Sequence, residues 1–104
     1  MELDMERIVM EMVVSSGDAR SKALEAVQTA RRGDFAAAKQ LLMDCEKALA
    51  KAHEVQTDMI VKELNGEGQV VKLLMVHAQD HLMNALTVKD LSEQIIGILE
   101  EMKP

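Results

Sequence analysis

The sequence predicts an all-α protein, an antiparallel three-helix bundle, and three observations carry that expectation. The 104 residues hold one aromatic side chain (Phe35), nine Met and a single Pro at the very end, among abundant Ala, Leu, Met, Glu, Lys and Gln. These are the residue types that lose least on entering a helix. Apolar residues also recur at steps of three and four, the helical repeat. Finally, Arg32-Gly33-Asp34 and Asn65-Gly66-Glu67-Gly68 interrupt that repeat and divide the chain into three stretches. The length suits a single domain spanning 1–104.

The first stretch, about residues 1–32, reads as a helix kinked or broken near Gly17, where Asp18 is placed to cap a second segment. Before that point Met5, Ile8, Val9, Met12 and Val13 form one stripe; after it Ala19, Ala23, Leu24, Val27 and Ala30 form another. The second stretch, about 34–64, opens on Asp34, whose carboxylate can accept from a first-turn backbone N–H. Ala38, Leu41, Cys45, Ala48, Ala52, Val55 and Met59 then alternate steps of three and four along one face.

The third stretch, about 70–102, has almost no polar face where it begins, with Val70, Val71, Leu73, Leu74, Met75 and Val76 crowded together. A strand is the competing reading of so short an apolar run. It is set aside because nothing else in the chain would pair with it. Further on, Leu82, Met83, Ala85, Leu86, Val88, Leu91, Ile95, Ile96, Ile98 and Leu99 still cover a wide arc. A helix apolar nearly all round is normally buried on all sides, yet every helix of a lone three-helix bundle keeps an outer face in water. The third stretch therefore predicts self-association.

Composition excludes several roles. A hydrophobic share of 48% against 29% charged residues is that of a folding chain, not a disordered one. The net charge of −6, with no basic run longer than Arg31-Arg32, disfavours nucleic acid and anionic membrane, both of which are bound through Lys and Arg. No segment approaches the ~20 apolar residues of a membrane span, and Glu2, Asp4, Glu6 and Glu11 are unlike a secretory signal. No membrane insertion and a cytoplasmic location are expected. The lone cysteine, Cys45, reads as core filler.

Chemistry concentrates in the third stretch. His77 and His81 stand four apart with Asp80 between them. On a helix His81 lies about 40° to one side of His77 and Asp80 about 60° to the other, so all three project from one sector. Apolar neighbours such as Leu73, Val76 and Met83 make ionisable groups there costly unless paired or metal-bound. For His77 the readings are a nucleophilic imidazole or a histidine hydrogen-bonded to a neighbour. Asp80 could orient His77, ligate a metal, or be solvated. His53 and Gln56, one turn apart on the second helix, stand where they could reach this cluster.

The segment Val76-His77-Ala78-Gln79-Asp80-His81-Leu82-Met83 is similar to the signature of the lactose/cellobiose (N,N'-diacetylchitobiose) class of enzyme IIA. This is a component of the bacterial phosphoenolpyruvate-dependent sugar phosphotransferase system. Ser16-Gly-Asp-Ala-Arg-Ser21, Gly33-Asp-Phe-Ala-Ala-Ala38 and Ala52-His-Glu-Val-Gln-Thr57 resemble three further family blocks in the same order. The resemblance implies a homotrimer, nine helices in all, and a phosphocarrier function. It implies His77 as phosphoryl acceptor, His81 and Gln79 as its support, and Asp80 as a metal ligand, three copies holding one divalent cation, magnesium, on the trimer axis. The implied partners are the histidine-containing phosphocarrier protein as donor and enzyme IIB as recipient, for uptake of a β-disaccharide that the membrane component selects. No nucleotide is implied, and no phosphate-binding glycine loop is present. The alternatives from the residues alone are a metal-binding bundle using His77, Asp80 and His81, and an interaction module without chemistry.

Overall fold

The computed structural model describes residues 2–104, and these form three α-helices of 30 residues each: α1 (Glu2–Arg31), α2 (Phe35–Leu64) and α3 (Leu73–Met102). At 1.5 Å per residue each rod is about 45 Å long, and side by side they make a bundle of 56 × 23 × 19 Å. Among the described residues there is no strand. Among the described residues no helix is long and apolar enough to cross a membrane.

Helix α1 runs unbroken through Gly17. Asp18 begins no new helix; its carboxylate pairs with Lys22 one turn on, at 2.6 Å. The α1–α2 turn follows the expected chemistry. Gly33 takes a positive φ of 90°, a region a Cβ would resist, and its N–H closes the turn on the Ala30 carbonyl at 2.9 Å. Asp34 then accepts from the Ala37 N–H at 3.1 Å, capping α2. The α2–α3 turn pivots on Gly66, φ 81°.

Helix α3 starts at Leu73, three residues later than the apolar pattern suggests. Lys72 is extended and gives α3 no side-chain cap, and Val70 and Val71 lie exposed in the connection. Those residues carry the chain back from the end of α2. An apolar run alone does not mark a helix start where no capping residue precedes it.

Small side chains dominate the interior. Val9, Met12, Ala19, Ala23, Cys45, Leu49, Ala52, Ala78, Leu82 and Ala85 form the main core; Ala26, Ala30, Ala38 and Ile96 form a second cluster toward the α1–α2 turn. The alanines let the helix backbones approach closely. In α1 the buried row is Ala19, Ala23, Ala26 and Ala30. Leu24, grouped with that stripe on sequence, is instead exposed, because five residues after Ala19 is about 140° round the helix. Cys45 is fully buried, and burial pushes its thiol above the ordinary range, which keeps it neutral and packed. Lys89 ties α3 to α2 through Glu46 at 3.4 Å while also pairing with Glu93 at 3.1 Å.

One core group is unmatched: the Ser16 hydroxyl is buried with no hydrogen-bond partner among the described residues. A buried unpaired hydroxyl costs about 1–3 kcal/mol. Ser16→Ala should therefore stabilise the fold by about 1 kcal/mol, raising the thermal midpoint by about 4–8 °C. A lower midpoint in a calorimetric scan would show that the hydroxyl is satisfied in solution.

Candidate functional site

The site is built on the first half of α3, where the chain turns back along α1 and α2. His77 and His81 are one turn apart, and their Nε2 atoms meet at 3.1 Å with the rings edge to face, 79° between planes. His77 is exposed and His81 half-buried. Only one of two facing Nε2 atoms can carry the proton in a neutral pair. If His81 is the donor, His77 keeps its proton on Nδ1, and its Nε2 lone pair is held toward the N–H of His81. That is a nucleophile with a hydrogen-bond donor beside it.

Asp80 is exposed on the same helix, and no hydrogen bond or ion pair reaches it among the described residues. It does not orient His77; the partner of His77 is His81. No group of three or more His, Cys, Asp or Glu is gathered for a metal ion among the described residues of one chain.

Gln79 lies two residues past His77, about 200° round the helix, and so faces away from it. Its Oε1 accepts from Gln56 Nε2 of α2 at 2.8 Å, and the same nitrogen approaches Met83 Sδ at 3.6 Å. The expectation that α2 would reach this cluster thus divides. Gln56 bonds to α3, whereas no hydrogen bond or ring contact joins His53 to His77 or His81 among the described residues. His53 is exposed beside a small hollow of about 160 Å³ lined by Glu46, Leu86 and Lys89.

Two apolar surfaces adjoin the site. A cleft of about 380 Å³ at the α2–α3 end is lined by Met5, Ile8, Met59, Val71, Met75 and Gln79, among others. The face of α3 centred on Asp80 carries exposed Leu73, Val76, Met83, Leu91, Ile98 and Met102 along its length. These all lie within about 60° of Asp80 on the helix. A contiguous exposed apolar face of this extent marks an interaction surface.

Residues 7–100 match the family model of the PTS system, Lactose/Cellobiose specific IIA subunit. The chain belongs to this family. It is 45% identical over 102 residues to the lichenan-specific phosphotransferase enzyme IIA component of Bacillus subtilis, spanning 98% of this chain and 93% of that one. Its fold superposes on the crystal structure of the cellobiose-specific enzyme IIA of Bacillus anthracis with a TM-score of 0.86 at 40% identity, over 92% of this chain and 88% of the other. The chitobiose IIA of Escherichia coli, solved in solution as its complex with HPr, matches with a TM-score of 0.80 at 39% identity, over 95% and 96% of the two chains. The four-block resemblance read from the sequence is borne out at the level of the family. In this family member, the signature residues His77, Gln79, Asp80 and His81 all fall on one stretch of α3, but one chain joins only the two histidines.

Proposed function

We propose that the chain is a phosphocarrier that accepts a phosphoryl group on His77 Nε2 from the histidine-containing phosphocarrier protein and passes it to a cysteine of enzyme IIB, serving uptake of a β-disaccharide. The observation that carries this reading is the exposed His77 imidazole with its Nε2 held 3.1 Å from His81 Nε2. The Escherichia coli relative bound to HPr supports the choice of donor.

In the loading step the His77 lone pair attacks phosphorus in line as the nitrogen–phosphorus bond of the donor phosphohistidine breaks. That bond's electron pair returns to the donor ring. The His81 N–H, released by the attacking nitrogen, donates to a phosphoryl oxygen, a charge-assisted bond roughly twice as strong as a neutral one. In the unloading step a thiolate of the recipient attacks phosphorus and restores the His77 lone pair. Placement and charge stabilisation, not a further covalent group, supply most of the acceleration.

The working unit in this reading is a homotrimer, nine helices with the Asp80 face of α3 on the axis, which covers Leu73, Val76, Met83, Leu91, Ile98 and Met102. Three Asp80 carboxylates brought together would repel unless they share protons or a cation. They supply hard oxygen donors that suit one divalent cation, magnesium by preference, and a single exposed carboxylate per chain fits a shared site better than a private one. The cation would neutralise the axial charge.

Incubation with phosphoenolpyruvate and the two general components of the system should place acid-labile phosphate on the wild-type chain, and adding enzyme IIB should discharge it. A chain that stays unlabelled is not the phosphocarrier. For the axial cation, metal analysis of the purified trimer should give one ion per three chains. Asp80→Leu should remove that ion while His77→Ala retains it; loss of the ion in the histidine variant would favour the metal-binding bundle instead.

A further inference from the structure

The hydrogen bond between Gln56 and Gln79 crosses from α2 to α3 at the edge of the site, and its direction matters. A glutamine amide has an accepting end and a donating end of nearly the same shape, and only the donating end attracts a phosphoryl oxygen. Gln56 Nε2 sits between Gln79 Oε1 at 2.8 Å and Met83 Sδ at 3.6 Å. A thioether sulfur accepts and never donates, so Met83 favours the nitrogen of Gln56 on that side. With its nitrogen so placed, Gln56 offers Gln79 a donor. Gln79 must answer with Oε1, which leaves both N–H groups of Gln79 pointing away from Gln56.

Those N–H groups cannot serve the histidine of their own chain, because Gln79 and His77 lie on opposite flanks of α3. Taking the Asp80 side as zero, His77 stands about 60° to one side and Gln79 about 100° to the other. A helix that turns its Asp80 side to a three-fold axis shows one flank to each neighbouring copy, in a head-to-tail ring. The Gln79 flank of one copy then faces the His77 flank of the next.

We propose that Gln56 is a positioning residue for phosphoryl transfer: by fixing the Gln79 amide, it presents the Gln79 N–H groups to a phosphoryl group on His77 of a neighbouring copy. This rests on the phosphocarrier and trimer reading above. Gln56 itself touches no reacting atom, and Met83 sets the direction of the relay.

The experiment reads transfer from the phosphorylated donor protein to the full-length trimer, with wild-type labelling and trimer mass as controls. In Gln56→Ala the Gln79 amide is free to turn, and the limiting rate should fall about tenfold at unchanged half-saturation by the donor. In Gln56→Glu the carboxylate only accepts, so the Gln79 amide must turn its nitrogen inward and its oxygen outward. The rate should then fall about a hundredfold, the size of losing one donor to a developing charge. In a Gln79→Ala background, Gln56→Glu should add nothing further. Side-chain amide NMR supplies an independent reading: the Gln79 signals should shift on phosphorylation in wild type and not in Gln56→Glu. The proposal is overturned if Gln56→Glu is no slower than Gln56→Ala, or if it slows the Gln79→Ala protein by the same factor as wild type. Failure of the wild-type protein to take label at all would instead remove the phosphocarrier reading beneath it.

Discussion

Replacing His77 by alanine is expected to abolish acid-labile phosphate on the protein, a loss on the order of a thousandfold or more, because the variant lacks the atom that forms the bond to phosphorus. The fold should hardly notice. His77 is exposed, and exposed substitutions away from caps and packed contacts change stability by about 0.5 kcal/mol or less. Unfolding curves of the two proteins should superpose while the label disappears. His81→Ala separates the roles within the pair: the acceptor stays and only the neighbouring N–H is lost, so labelling should continue at a rate reduced about a hundredfold to a thousandfold. Equal label in wild type and His77→Ala, measured by acid-labile phosphate after gel filtration, would move the acceptor to another residue and remove the functional reading of the 3.1 Å Nε2 contact.

Much of this was legible in the sequence, and what was not has identifiable physical causes. The three helices followed from composition and spacing, and Asp34 and Gly33 marked the α1–α2 turn because capping and positive φ each demand particular residue types. The start of α3 was misplaced at 70 because an apolar run carries no boundary of its own; the chain spends Val70 and Val71 on the return from α2. Leu24 was grouped with the wrong face for a related reason, since Ala19, Ala23 and Ala26 already define the buried row and five steps leave it.

At the site, helix geometry placed His77 and His81 together, and the structure agrees. Gln79, expected to support His77, instead faces α2, and which residue of α2 meets it depends on the register between helices. No local pattern encodes that register, which is why His53 and Gln56 looked equally able to reach the cluster. Packing decides between them: Gln56 is half-buried and bonded across to α3, and His53 stays at the surface. The family, in turn, was carried by the four sequence blocks. Spacing alone left His77 with a bland alternative.

The largest loss of stability should come from Leu82, one residue past His81 yet turned into the bundle. Leu82 is 0% exposed and lies in the main core with Ala23, Cys45, Ala52, Ala78 and Ala85. A Leu→Ala change in a core costs about 2–5 kcal/mol, and the cost grows with the cavity that remains. Five of the nine other buried residues of that core are alanine, whose side chains have no rotatable bonds to swing into a gap. The cavity should persist, so Leu82→Ala is expected toward the upper end of that range. Against a total stability of about 5–15 kcal/mol for a small domain, that is a large fraction. At about 4–8 °C per kcal/mol the thermal midpoint should fall by well over 10 °C, while Leu82→Met, which keeps the volume, should cost less than about 1.5 kcal/mol. Midpoints must be compared at equal protein concentration, because self-association adds stability by mass action. Below its midpoint Leu82→Ala should still accept phosphate, since the side chain faces away from His77; a variant that is as stable as wild type would mean that the interior is not packed around Leu82.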